Sequence, residues 1–302
     1  MTNFTFIIST YNRKNLLERA IKSIYNQNYQ NFEIILINDG GEDVTDVVKK
    51  FDQKIILIKN PVNKGYTFSK NLGVKLAKNN WIIFLDDDDE IIENSLNKLK
   101  EEMAKFDDNT LWFVTPRLYV FDNKNFIYPK FSNLVLLQKN PYKALDIRKF
   151  KLGGSIFNKE IFKKGFLFDE NIFYGEDYEF CLRLIVNNIK FIPLNVVFYK
   201  YYFRIYESNF VKVIKDREYI LKKHKDLLDK ENLSYFYFHL SKLYKKNNDP
   251  RNSLFYLIQG LRSNFSIKNL IMFIIFILIL CLPPKFIIFL EKIYAKTGLR
   301  FT

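Results

Sequence analysis

The sequence predicts an α/β protein built on a mostly parallel, doubly wound sheet and continued by a helical carboxyl-terminal region. Three observations carry that expectation. Short apolar runs rich in β-formers alternate with helical periodicity through the first hundred or so residues, and such alternation specifies parallel strands joined by right-handed crossovers. Three polar clusters each follow one of those apolar runs, which is where open parallel sheets bind ligands. From about residue 208 the pattern turns helical.

Taken in order, Phe4 to Ser9 reads as a buried strand, and Asn15 to Asn26 as a helix with Leu16, Leu17, Ala20, Ile21 and Ile24 at helical spacing. Phe32 to Ile37 is a second strand, ended by the turn-forming Asn38-Asp39-Gly40-Gly41. A helix over Val44 to Phe51, a strand over Lys54 to Ile58 and a helix over Phe68 to Ala77 follow. Trp81 to Leu85 is a fourth strand running into Asp86-Asp87-Asp88-Asp89-Glu90, with Glu90 a candidate helix start. Leu111 to Thr115 and Arg117 to Phe121 read as strands, and the stretch after Lys124 as loop. Gly153-Gly154 and Gly175 punctuate the chain before a helix over Tyr178 to Val186 and a closing strand over Lys190 to Tyr199.

Beyond this domain, set at residues 1–207, the segment 208–265 reads as helical. Val211 to Asp229 is a basic amphipathic helix, and Ser234 to Lys246 with Ser253 to Ser263 form one antiparallel hairpin of tetratricopeptide type. The tail, 266–302, is continuously apolar from Leu270 to Leu282, interrupted by Pro283-Pro284-Lys285 and apolar again from Phe286 to Leu290. A bilayer-spanning helix needs about 20 apolar residues, and the prolines break a straight continuation. The expectation is a membrane-associating, re-entrant or interfacial hairpin with Lys285, Lys292, Lys296 and Arg300 at lipid headgroups.

The 302 residues hold 47 Lys and Arg against 33 Asp and Glu, a formal charge of +14, which favours phosphate-bearing partners. No zinc spacing, RNP-like strand or basic region with heptads accompanies it, so nucleic acid is not the expected partner. Two cysteines, Cys181 and Cys281, make neither a disulfide framework nor a thiolate metal site and fit a reducing compartment. MTNFTFIIST lacks a basic leader and a long apolar stretch, so no signal peptide is expected and the cytoplasm is the default location.

The polar clusters carry the chemistry. Ser9-Thr10-Tyr11-Asn12, Asn38-Asp39-Gly40 and the acidic run Asp86 to Glu90 should converge on one crevice at the strand ends. Four consecutive aspartates repel one another, and a divalent cation relieves that repulsion. Oxygen donors suit Mg²⁺ or Mn²⁺, which share coordination with substrate phosphates. The competing reading is helix N-capping, for which one aspartate suffices. Asp39 reads either as an acceptor for a base or ribose or as an Asx-turn residue, and Tyr11 as a stacking ring or surface packing. Glu176-Asp177 heads a helix, where a carboxylate serves as a general base toward a hydroxyl or as a cap.

The ordered motifs STYNR, NDGG, NKGYTFSKNLGVKLAKNNWIIFLDDDDE and FDENIFYGEDYEFCLRL resemble family-2 glycosyltransferases of the GT-A fold, over about the first 200 residues. The resemblance implies a Rossmann-like GT-A domain in which Ser9, Tyr11 and Asp39 hold a nucleoside, commonly uridine. It implies that Asp86 and Asp88 form a DxD motif, Asp86 on the nucleotide-sugar and Asp88 as ligand of Mg²⁺ or Mn²⁺. Asp177 is then the catalytic base of an inverting displacement, with Glu176 and Gly154 supporting it or lying on the acceptor side. Family members often carry Arg at the position of Lys70, which meets a phosphate without a bidentate fork. Arg204 falls where a basic diphosphate contact is common.

The helical hairpin and broken apolar tail further resemble the branching glucosyltransferases of bacterial protein N-glycosylation. That likeness implies UDP-glucose as donor, with UDP-GalNAc and UDP-galactose as competitors, and a polyprenyl-diphosphate-linked oligosaccharide as acceptor. It also implies work at the membrane surface, on the cytoplasmic face of the inner membrane. A nucleotidyltransferase is disfavoured because STYNRKN contains no glycine for a phosphate loop. A degenerate, membrane-anchored binding module is the non-catalytic alternative.

Overall fold

The computed structural model describes residues 2–51, 54–107, 109–121, 124–139, 151–203 and 209–264. They form two compact units, one of residues 1–172 with 176–204, the other of residues 173–175 with 205 onward.

The first unit opens with β1 (Phe4–Thr10), α1 (Lys14–Tyr25), β2 (Phe32–Asn38), α2 (Thr45–Val48), β3 (Ile55–Lys59), α3 (Tyr66–Leu76) and β4 (Trp81–Phe84). β5 (Glu90–Ile91), α4 (Ser95–Met103), β6 (Trp112–Val114), β7 (Arg117–Phe121), β8 (Lys124–Tyr128) and α5 (Phe131–Lys139) follow. The unit ends with β9 (Ser155–Asn158), α6 (Glu160–Lys163), α7 (Glu176–Val186), β10 (Phe191–Pro193) and β11 (Tyr199–Tyr202).

Seven strands form the main sheet in the order β10-β6-β9-β4-β1-β2-β3. β4, β1, β2 and β3 run parallel, and only β9 opposes its neighbours β4 and β6. The parallel core is apolar on both faces, as its near-continuous hydrophobic strands require: Phe6, Ile8, Ile34 and Leu36 are buried on one face and Ile7, Ile35 and Ile37 on the other. The apolar stripe of α1, Leu17, Ala20, Ile21 and Ile24, is buried in the same cluster.

A second sheet of four strands has the order β5-β11-β7-β8. It accounts for three departures from the sequence reading. Glu90 starts no helix; it pairs with Lys200 in the β5–β11 ladder, and α4 begins only at Ser95. The stretch after Lys124 is not loop, because β8 returns antiparallel on β7 as a hairpin and α5 follows it. The closing strand is split, β10 joining the main sheet and β11 the small one; Pro193, which has no N–H for a ladder, ends the first part. The helix over Val44 to Phe51 is also shorter than its pattern suggests, a single turn at α2.

The second unit contains α8 (Phe210–His224), α9 (Lys230–Lys246) and α10 (Pro250–Ser263). Asp229 and Asp249 cap α9 and α10 by accepting from the N–H groups of Asn232 and Asn252, and Pro250 occupies the first turn of α10. The hairpin closes on small residues, Ser241 bonding to Ser253 and Ser234 to the Gly260 carbonyl. Tyr244 and Tyr256 both donate to Glu218 of α8, at 2.6 Å each. No helix among the described residues is long and apolar enough to cross a membrane. The apolar tail from 266 and Arg204 lie outside the described residues.

Candidate active site

The acidic run leaves β4 through a turn at Asp87 and Asp88, in which the Asp89 N–H donates to the Asp86 carbonyl at 3.1 Å. Asp87 and Asp89 turn inward and are buried, whereas Asp86 is exposed and Asp88 half-buried. Asp87 accepts from the Thr10 hydroxyl at 2.8 Å and from Arg13 at 3.1 Å. Asp89 accepts from the Tyr199 hydroxyl at 2.8 Å and the Tyr202 N–H at 2.9 Å. Burial, aided by repulsion from Asp88 and Asp86 and opposed by Thr10 and Arg13, pushes the Asp87 carboxyl up to about 6. Burial, and then Asp86, holds Asp89 well above the usual carboxylate range. The buried pair thus fixes the loop, while Asp86 is exposed and the half-buried Asp88 has one oxygen 3.3 Å from Arg13.

With α4 starting at Ser95, none of the four aspartates caps a helix. Among the described residues no three His, Cys, Asp or Glu side chains could hold a metal ion by themselves. The carboxylates of Asp86 and Asp88 are an all-oxygen, incomplete donor set. That set suits a hard cation whose remaining ligands are phosphate oxygens and water, the habit of Mg²⁺ and Mn²⁺.

At the end of β2, Asp39 is buried and engaged with the neighbouring loop. It accepts from Asn60 Nδ2 at 2.7 Å, the Lys64 N–H at 3.0 Å and the Gly65 N–H at 2.8 Å. A carboxylate offers about four acceptor positions, so one is left. The turn itself is held by others: Asn38 Oδ1 accepts from the Gly41 N–H and Asn12 Oδ1 from the Glu42 N–H. Gly40 (φ +77°) lies so close to the Val62 backbone that a Cβ would stand 2.5 Å from its carbonyl carbon. Ser9, near the end of β1, is half-buried, and the Tyr11 ring is 47% exposed.

The second acidic pair heads α7. Glu176 accepts from the Tyr66 hydroxyl at 2.9 Å and from Lys70 Nζ at 3.2 Å. Burial works to lower the Lys70 ammonium, but Glu176, Asp86 and Asp177 together outweigh it and hold it above its ordinary value. One buried cation therefore feels the carboxylates of both acidic motifs. Asp177 Oδ1 accepts from the Tyr178 N–H at 2.9 Å, and Oδ2 lies 3.4 Å from Lys151 Nζ. Asp177 is in turn the main reason the Lys151 ammonium is held high. Gly154 (φ +84°) has a packing role: a Cβ there would stand 2.6 Å from Cγ of the buried Arg117, whose guanidinium donates to the Gly153 carbonyl at 3.0 Å.

The structure adds residues that the sequence reading did not single out. Arg13 sits inside STYNR and bridges Asp87 to Asp88, the latter at 3.3 Å; its place in that motif was the available signal. Lys151, Tyr66 and Tyr199 lie far in sequence from the carboxylates they meet; Tyr66 stands inside the motif that starts at Asn63, and no local pattern marks the other two.

Comparisons with known proteins agree with this geometry. Residues 5–167, more than half the chain, match Glycosyl transferase family 2. The putative colanic acid biosynthesis glycosyl transferase WcaA of Escherichia coli is 27% identical over 256 residues, 81% of this chain and 89% of the relative. The GalNAc(5)-diNAcBac-PP-undecaprenol β-1,3-glucosyltransferase of Campylobacter jejuni is 30% identical over 198 residues, 61% of this chain and 60% of the relative. In three dimensions, S. aureus TarS residues 1–349 with UDP superposes at a TM-score of 0.60 and 16% identity, over 86% of this chain and 91% of that one. The fold is therefore GT-A, and the chain belongs to glycosyltransferase family 2.

Proposed function

We propose that the protein is an inverting, metal-dependent hexosyltransferase moving a sugar from a UDP-sugar to a hydroxyl of a polyprenyl-diphosphate-linked oligosaccharide. One observation carries the reading: the exposed Asp86 and half-buried Asp88 follow β4 while Lys70 feels both Asp86 and the Glu176-Asp177 pair. A diphosphate site and a candidate base thus share one buried cation. In this reading Ser9, Tyr11 and the remaining acceptor position of Asp39 hold the uridine. Asp88, with Asp86, holds Mg²⁺ or Mn²⁺, which would neutralise charge on the departing diphosphate. Lys70 and Arg204 meet the phosphates. Asp177 takes the proton of the acceptor hydroxyl as that oxygen attacks opposite the leaving group, and Glu176 orients the start of α7.

Solved TarS structures hold UDP and UDP-GlcNAc, which supports a UDP-sugar donor, and glucose is the first candidate from the Campylobacter relative's name. That relative's name also supports a lipid-linked acceptor, and a branching step in N-glycan assembly is the role the proposal gives this chain. WcaA favours a second reading, the same chemistry in capsule or other surface polysaccharide synthesis with another UDP-sugar. The basic charge and the tail 266–302 support attachment at the cytoplasmic face of the inner membrane. The test is UDP release from a panel of UDP-sugars, with lipid-linked or free oligosaccharide acceptors, in Mn²⁺, Mg²⁺ or EDTA. Release that needs both acceptor and cation is expected; donor binding without release under every condition would instead mark a binding module.

A further inference from the structure

The small sheet carries an aromatic face whose buried end acts on Lys151, the cation 3.4 Å from Asp177, and whose other end is exposed. Successive residues on one side of β7 and β11 alternate with period two, putting Tyr119 and Phe121 in register with Tyr201 and the following Phe203. Their rings are in contact: Tyr119 lies 4.9 Å from Tyr201 and stacks on Phe126 of β8 at 5.2 Å and 14°, and Phe121 meets Phe203 at 5.2 Å. Burial falls along the face, from Tyr119 at 4% exposure to Phe203 at 37%. Cross-strand aromatic pairs alone would explain the buried end as sheet packing; they do not explain the open end.

The tyrosines of β11 point to a ligand. Tyr199 gives its hydroxyl to Asp89 and Tyr202 gives its own to Glu90. Tyr201, between them, has no hydrogen-bond partner for its hydroxyl among the described residues and is not a buried orphan. It sits in the field of Lys151, Asp89 and Asp86, burial being the main cause that pushes it up to about 12, so it remains a protonated donor. Lys151, which also feels Tyr119 and Tyr201, is the cation 3.4 Å from Asp177. A part-exposed aromatic face, its cross-strand rings tilted 53° and 79° to one another, with one unspent hydroxyl in the field of the lysine that meets Asp177, has the chemistry of a pyranose site. Ring faces take the apolar C–H side of a sugar, and the phenol takes one of its hydroxyls.

We propose that the face formed by Tyr201 and Phe203, backed by the buried Tyr119, is the acceptor subsite, that it takes a pyranose ring of the acceptor glycan, and that Tyr201 orients the attacking sugar toward Asp177. This rests on the reading of Asp177 as base. The test uses the full chain with UDP and Mn²⁺ and two probes, p-nitrophenyl α-N-acetylgalactosaminide and p-nitrophenyl β-glucoside. Saturation-transfer NMR, irradiating the protein's aromatic protons, should light the C–H protons on one face of at least one probe.

Tyr201→Phe removes one neutral hydrogen bond and should weaken probe binding about three- to tenfold. Phe203→Ala should reduce the transferred saturation by more than half, and UDP affinity should stay within about twofold in both variants as a control on folding. Transfer to neither probe, or unchanged probe binding in both variants, overturns the subsite. Asp177→Asn separates the two ideas: its probe binding should persist while turnover is lost. Persisting turnover there refutes the base and leaves a sugar-binding face standing, whereas lost turnover without any probe binding refutes the subsite alone.

Discussion

Asp87 and Asp88 are chain neighbours that share Arg13 but differ in burial, and that difference predicts different phenotypes. Asp87 is buried on Thr10 and Arg13, and burial pushes its carboxyl from an ordinary 3.8 up to about 6. A raised carboxyl binds its proton more tightly when folded. Its contribution to stability is therefore complete below pH 4 and is lost as the pH rises toward about 6, flat above that. In EDTA, urea unfolding of Asp87→Asn should gain on wild type by about 1–3 kcal/mol across that window; parallel pH profiles would show that Asp87 is not the titrating group. Asp88→Asn should leave stability nearly unchanged and abolish the dependence of turnover on Mn²⁺ or Mg²⁺, read from rate against cation concentration. Asp177→Asn should keep UDP affinity and lose about 10²- to 10⁴-fold in turnover, the range of general-base catalysis; unchanged turnover would remove Asp177 from the chemistry.

At the scale of elements, the link between α3 and α7 is the one to test. Tyr66 and Lys70 lie one turn apart on α3, and both end on Glu176, at the first residue of α7. Tyr66→Phe deletes a hydrogen bond to a charged, part-buried acceptor, so about 1.5–3 kcal/mol of unfolding free energy should be lost, and turnover should fall as the start of α7 loosens around Asp177. A change of a few tenths in either direction would mean that Lys70 alone holds Glu176.

These elements also show what a sequence can and cannot disclose. β1, α1, β2, α3 and β4 are legible because parallel core strands are apolar on both faces and their helices carry one apolar stripe. β5, β8 and the split of β10 from β11 are not, because a two-residue strand has no periodicity and β8 is defined by its partner β7 rather than by its own pattern. The same limit applies to the site. Asp86, Asp88, Asp39 and Asp177 stand in local motifs, whereas Lys151 and Tyr201 acquire meaning only when segments distant in sequence meet, and Tyr66, though inside a motif, only when α3 meets α7.

For the whole molecule, the excess of basic residues and the apolar tail make one joint prediction. The formal charge of +14 draws the chain toward anionic lipid, with about 1 kcal/mol for each Lys or Arg close to the surface, and salt screens that attraction over about 10 Å at 0.1 M. Apolar burial by the tail does not share that salt dependence. Full-length protein should therefore sediment with vesicles containing anionic lipid at low salt and stay partly bound at high salt. A chain ending at residue 265 should bind weakly at low salt and be released completely at high salt. Equal binding of the two chains at high salt would show that the tail is not the anchor, and the retained attraction would then have to come from the surface of the two folded units.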